Sequence, residues 1–216
     1  MYKYLNMSRK FDFYNLLEKE FGICCPSTGF EFRFCKDGYE LWFESLKINH
    51  LDYLFSIIDQ NNKDSFLCDA CIYLQYEIIV YSIQNGANPR AFDDLPLIYA
   101  CKIYTDSNEN SSKIVKLLVD DFGSDINARN GQLLEIAINN PCATLTLTKL
   151  LLERGAVVTE EIISRLLNQS KSVIELFIDY GLDPKLLSKH FFNKILRDYK
   201  GAINVFHEYN IDLNEI

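Results

Sequence analysis

The 216-residue chain is poor in the residues that most catalytic and cofactor chemistry needs. It has only three histidines, His50, His190 and His207. They are far apart, and His190 and His207 have no paired acid at useful spacing, so nothing local supports a nucleophile–base pair. The nine glycines are scattered singly, mostly at the ends of apolar runs, which leaves no phosphate-cradling loop. Positive charge is also in deficit. Lysine and arginine total 22 against 30 acidic residues, for a net charge of −8. Nucleic acid and anionic membrane both require clustered lysine and arginine, so neither is expected as a partner. No run of 18 apolar residues occurs, which argues against a membrane-spanning helix. The opening residues lack the apolar core of a signal peptide. Seven cysteines, an odd number, then read as reduced thiols in a cytoplasmic or nuclear setting.

What the chain does have is a repeated plan. In Ile114-Val115-Lys116-Leu117-Leu118-Val119 the apolar residues fall at helical spacing, and Gly123 supplies a left-handed stop. Similar helical runs close at Gly86, Gly155 and Gly181, and Asn210 takes the glycine's place near the end. The spacings are 37, 32, 26 and 29 residues, which suits two short helices and a turn per unit. One such helix is too short to stand alone in water, and its apolar stripe needs neighbours on both sides. A unit that cannot bury its own face, repeated along the chain, specifies an all-α solenoid.

These residues resemble the ankyrin-repeat family. The family's second-helix and loop pattern, roughly I-V-K-L-L-L-x-x-G-A-D-V-N-A, is matched at Ile114–Ala128, with one extra residue before the glycine, and again at Lys149–Val157. Its first-helix pattern T-P-L-H-x-A-A corresponds to Leu95–Cys101, with Pro96 suited to a first helical position. Its inter-helix histidine corresponds to His50 in Asn49–Leu54. The resemblance covers about residues 40–216 and is most specific in the middle third. The short loops are similar to those of ankyrin repeats in large DNA viruses. The implied architecture is an array of about six helix-pair repeats over 39–216, without an internal linker. Residues 1–38 would precede it as an N-terminal capping helix, with Phe11, Tyr14, Leu17 and Phe21 on one face, followed by an extended or hairpin segment at Phe30–Phe34. The polar tracts Gln60–Asp64 and Thr105–Ser112 read as a helix stop and a surface loop. Thr159 reads as an N-cap, with Glu160 and Glu161 at the positive helix end.

The implied function is non-enzymatic protein–protein interaction, without a cofactor, by a monomer that engages a host or viral protein. The family's partners bind the concave side, made of loop tips and first helices. By position that surface comprises Arg90, Phe92, Asp93 and Asp94 in one tip, Arg129, Asn130 and Gln132 in the next, and Lys102, Tyr104 and Asn139 at helix ends. Two other roles compete. Residues 1–38 could recruit ubiquitin-ligase machinery and make the chain a substrate adaptor. Cys24, Cys25, Cys35, Cys68 and Cys71 could supply a tetrahedral zinc site, although Cys68 and Cys71 fit a helix whose small residues face a neighbour better than they fit a metal-binding turn.

Overall fold

The computed structural model describes residues 16–17, 19–22 and 46–187. The described secondary structure is helical, with no strand among those residues. No described helix is long and apolar enough to cross a membrane. The fold class is therefore the all-α, helix-pair class that the periodicity predicts. The hairpin segment at 30–34, Cys24, Cys25, Cys35 and most of the sixth repeat lie outside the described residues. The chain forms two compact units, Met1–Ala91 and Phe92–Ile216.

In the first unit, helices α1 (Ile48–Ile57), α2 (Gln60–Ile72) and α3 (Tyr76–Gln84) follow one another closely. The tract at 60–64 is not a stop. Asp59 accepts a hydrogen bond from the Asn62 N–H at 2.8 Å, so the polar residues are the first turn of α2. Their side chains then serve the next loop. Gln60 donates to the Gly86 carbonyl at 2.7 Å, and the Asp64 carboxylate accepts from the Asn88 N–H at 2.7 Å. The core holds Leu54, Phe66, Leu67 and Ile79, with Phe55 edge-on to both Phe66 and Tyr81. Cys68 and Cys71 are buried on α2, as small residues in a helix interface. The described residues at 16–17 and 19–21 are helical. Leu17 is buried there, and Phe21 packs on His50 and Tyr53. His50 lies in the first turn of α1, where its Nδ1 accepts from the Lys47 N–H at 3.1 Å.

In the second unit, α4 (Ala91–Ile103), α5 (Glu109–Lys116), α6 (Ala128–Ile138), α7 (Thr144–Leu152), α8 (Glu160–Leu166) and α9 (Lys171–Asp179) form successive pairs. Helix α6 packs on α7 and on α8, and α7 packs on α9, so first helices stack on first helices and second on second. Leu97, Ile98, Ile114, Leu118, Leu134, Leu147, Leu151, Leu166, Ile174 and Phe177 are essentially fully buried between them. The predicted loop at 105–112 is shorter than expected. Asn108 caps α5 by accepting from the Asn110 N–H at 2.9 Å, so residues from Glu109 onward are helical. The extra residue before Gly123 is absorbed as a π-helical turn at Leu117–Asp121, in which the Phe122 N–H reaches the Leu117 carbonyl at 3.3 Å. Gly123, Gly155 and Gly181 all have positive φ (+65°, +83° and +95°), as left-handed stops require. The cap at Thr159 is present, with the hydroxyl accepting from the Ile162 N–H at 3.4 Å.

Candidate functional site

Two loop tips of the second unit share an unusual backbone. Phe92, Asp93 and Asp94 have φ of +53°, +61° and +54°, and Arg129, Asn130 and Gly131 have +52°, +59° and +78°. Each is nearly a turn of left-handed helix, which L-residues adopt at a cost of about 1–2 kcal/mol apiece. Cross-loop bonds hold them. The buried Asp94 carboxylate accepts from the Asp125 N–H at 3.1 Å. Arg129 donates to the Phe92 carbonyl at 2.7 Å and to Asp93 at 3.2 Å. One repeat further on, the Asn127 amide brackets the following loop, donating to the Gly155 carbonyl at 3.3 Å and accepting from the Val157 N–H at 2.8 Å.

The second tip opens onto a cleft of about 270 Å³ between the start of α6 and the start of α8. Arg129, Asn130, Gly131 and Gln132 line one side, with Glu135 beyond them, and Thr159, Glu161 and Ile162 line the other. The volume suits a side chain and a short backbone stretch rather than a large cofactor. Arg129 is already neutralised by Asp93. Arg165 joins Glu135 at 3.0 Å and Glu161 at 2.9 Å. The hydrogen bond to Glu161, reinforced by the charge of Glu135, raises the Arg165 pKa above its ordinary value and keeps the guanidinium charged. One guanidinium thus serves two carboxylates, leaving one negative charge in excess. The Gln132 side-chain oxygen is buried without a hydrogen-bond donor among the described residues.

The structure brings together part of the sequence-predicted surface. Arg129, Asn130 and Gln132 line the cleft, and Phe92 and Asp93 reach it through Arg129. Asp94 and Tyr104 are instead buried, 3% and 6% exposed, and do not form an accessible surface. Asp94 is the brace of its own tip, and the Tyr104 carbonyl accepts from Asn140 at 2.9 Å within the packing. Arg90 belongs to the first unit. Lys102 lies over the Tyr99 ring, and Asn139 donates back to the Glu135 carbonyl at the end of α6. Glu135, Thr159, Glu161 and Ile162 were not predicted as part of the surface. Thr159 and Glu161 are legible as helix-start residues, but their place opposite Arg129 depends on the packing of α6 against α8. Among the described residues no group of three or more histidine, cysteine or acidic side chains is placed to hold a metal ion.

Stacked helix pairs, closed by left-handed residues and bonded loop to loop, define a tandem helix-pair repeat protein. Residues 92–131 match the family model for the ankyrin repeat. The chain is 26% identical over 185 residues to "Putative ankyrin repeat protein R599" of Acanthamoeba polyphaga mimivirus, an alignment covering 80% of this chain and 51% of the viral protein. The chain thus spans about half the length of that relative. No solved structure matches the chain. The chain is thus similar to the ankyrin repeat over residues 92–131, and over most of its length to an ankyrin-repeat protein of a large DNA virus. Ankyrin repeats are protein–protein interaction modules, typically non-enzymatic.

Proposed function

We propose that the chain is a non-enzymatic interaction module that engages a host or viral protein through the loop tips and first helices of the second unit. The observation that carries this reading is the cleft where Arg129, Asn130 and Gln132 converge with Glu135 and Glu161, in which the Asn130 and Gln132 side chains have no hydrogen-bond partner among the described residues. Phe92, 39% exposed and bonded through its carbonyl to Arg129, offers an aromatic anchor of the kind enriched where interfaces concentrate their energy. The net charge of −8 favours a basic protein partner over nucleic acid or anionic membrane. The partner is engaged by a monomer in the cytoplasm or nucleus.

The test is affinity capture of the tagged chain from an amoebal lysate, with mass spectrometry, beside a Phe92→Ala/Asn130→Ala/Gln132→Ala variant. Amoebal lysate is the starting point because the viral relative comes from an Acanthamoeba virus. A protein captured by the wild type and lost with the variant is the expected result. Identical capture by both would move the binding surface away from the second unit's tips.

A further inference from the structure

Resting on that reading, the chemistry of the cleft narrows what enters it. We infer that the cleft between α6 and α8 takes an extended peptide segment of the partner, with the Asn130 and Gln132 amides paired to its backbone and a lysine or arginine side chain seated between Glu135 and Glu161.

Three observations lead there. The first is the pair of unused amides. Asn130 and Gln132 line the cleft, neither side chain has a hydrogen-bond partner among the described residues, and the Gln132 oxygen is buried. A side-chain amide carries both a donor and an acceptor, so its natural complement is a peptide group. The second observation is internal precedent. Four residues before Gly131, Asn127 presents the same amide to the segment Gly155–Val157 and pairs with both a carbonyl and an N–H of that backbone. The fold thus already holds one loop backbone by an asparagine amide, and the cleft offers two more amides with no such stretch in place.

The third observation is charge. Arg165 binds one oxygen of Glu135 and one oxygen of Glu161, and the second oxygen of each has no partner among the described residues. With Arg129 occupied by Asp93 and the Phe92 carbonyl, the carboxylates are in excess. A cationic side chain entering the cleft would restore balance and use the vacant oxygens through charge-assisted bonds. An anionic side chain would meet two carboxylates and is disfavoured.

The experiment follows the side-chain and backbone amide signals of the ¹⁵N-labelled full chain by NMR during titration with N-acetyl-arginine N-methylamide. The lysine and glutamate analogues are titrated in parallel. The expected result is saturable shifts at the Asn130 and Gln132 side-chain amides and at Thr159–Ile162, with a dissociation constant in the millimolar range, on the order of 1–10 mM. The lysine analogue should behave alike, and the glutamate analogue should bind at least about fivefold more weakly. Glu135→Gln and Glu161→Gln, nearly isosteric at accessible positions, should each weaken binding about threefold or more while the remaining signals stay in place. No saturation by about 50 mM arginine analogue overturns the inference. So does equal binding of the glutamate analogue, or binding indifferent to both substitutions. The two levels separate cleanly. A partner that is lost with Phe92→Ala/Asn130→Ala/Gln132→Ala but ignores Glu135→Gln and Glu161→Gln keeps the interaction surface and removes the cationic side chain. Saturation by the arginine analogue, combined with capture unaffected by the triple variant, does the reverse.

Discussion

The tips at Phe92–Asp94 and Arg129–Gly131 adopt nearly the same left-handed conformation, 37 residues apart, and spend it differently. The same offset aligns the helices behind them: Leu97 with Leu134, Ala100 with Ala137 and Cys101 with Ile138, all buried. At the third position the tips diverge. The first places Asp94, whose buried carboxylate accepts from Asp125 and locks the turn to the following loop. The second places Gly131, which adopts φ of +78° with little strain and leaves the loop-to-loop bonding to Asn127. The first tip is strained and braced by its own side chain. In the second, the Asn130 and Gln132 side chains carry no hydrogen bond among the described residues and line a cleft. With glycine at the third position the tip has no brace of its own, and the loop-to-loop bonding passes to Asn127.

The largest expected effect breaks the brace. Asp94→Ala leaves the Asp125 N–H without its acceptor while retaining three strained non-glycine positions, and should destabilise the second unit by about 2–3 kcal/mol. A urea midpoint equal to that of the wild type would mean that Asp94 does not hold the tip.

Alkaline pH loosens the helix behind the first tip and spares its counterpart. Burial pushes the Cys101 thiol up to about 12 from 9.0, whereas the aligned position in α6 is the non-titrating Ile138. The folded chain keeps this proton after the unfolded chain has released it. The stability linked to Cys101 is therefore fully present below pH 9 and falls as pH rises from 9 toward 12, by at most about 1.4 kcal/mol per pH unit. Between pH 9 and 10, Cys101→Ala should lose stability less steeply than the wild type. Equal slopes would show that this thiol is not held protonated by the fold.

Gly131→Ala probes the second tip more gently. The added Cβ would lie 3.6 Å from the Val157 carbonyl oxygen and 3.7 Å from Thr159 Cγ2, ordinary contact distances. The expected loss is therefore backbone strain alone, about 1 kcal/mol. A loss above about 3 kcal/mol would mean that the cleft wall collapses, and that Gly131 is there for space rather than for conformation.

The contrast between the tips also marks what a sequence can disclose. Gly86, Gly123, Gly155 and Gly181 were legible as stops because φ near +65° to +97° comes readily only to glycine. Phe92, Asp93 and Asp94 carry no such signature. Their conformation is imposed by Asp125 and by Arg129, 31 and 37 residues along the chain. The extra residue before Gly123 was legible, but the π turn that absorbs it was not, because only the fixed register of Ile114, Val115 and Leu118 in the core makes the insertion bulge. Polar composition misled at 60–64 and 109–112. Asp59 and Asn108 are strong caps, and the residues after a cap can be polar and still helical. One half of the cleft, Arg129, Asn130 and Gln132, follows from position in the repeat. The other half, Thr159, Glu161 and Ile162, is brought opposite by packing of α6 on α8 and has no local signal.

The smallest expected effect on the fold is the most informative about the cleft. Asn130 sits at φ of +59°, a region that asparagine and aspartate tolerate better than other residues with a Cβ, and its amide bonds to nothing among the described residues. Asn130→Asp keeps the side chain's shape and its conformational tolerance, so thermal stability should change by no more than about 0.5 kcal/mol. It also adds a third carboxylate to a cleft that already holds Glu135 and Glu161. If the cleft seats a cationic side chain, the arginine analogue should bind a few-fold more tightly, in line with about 0.2–1 kcal/mol for an exposed pair, and the gain should shrink as salt is raised. In the first tip the neighbouring acid, Asp93, is already taken by Arg129, and Asp93→Asn should leave the affinity for the analogue nearly unchanged or lower it by freeing a guanidinium beside the cleft. Tighter binding by the Asp93 variant and weaker binding by the Asn130 variant would reverse the sign of the cleft's preference, and would assign the ligand's charged group to Arg129 instead.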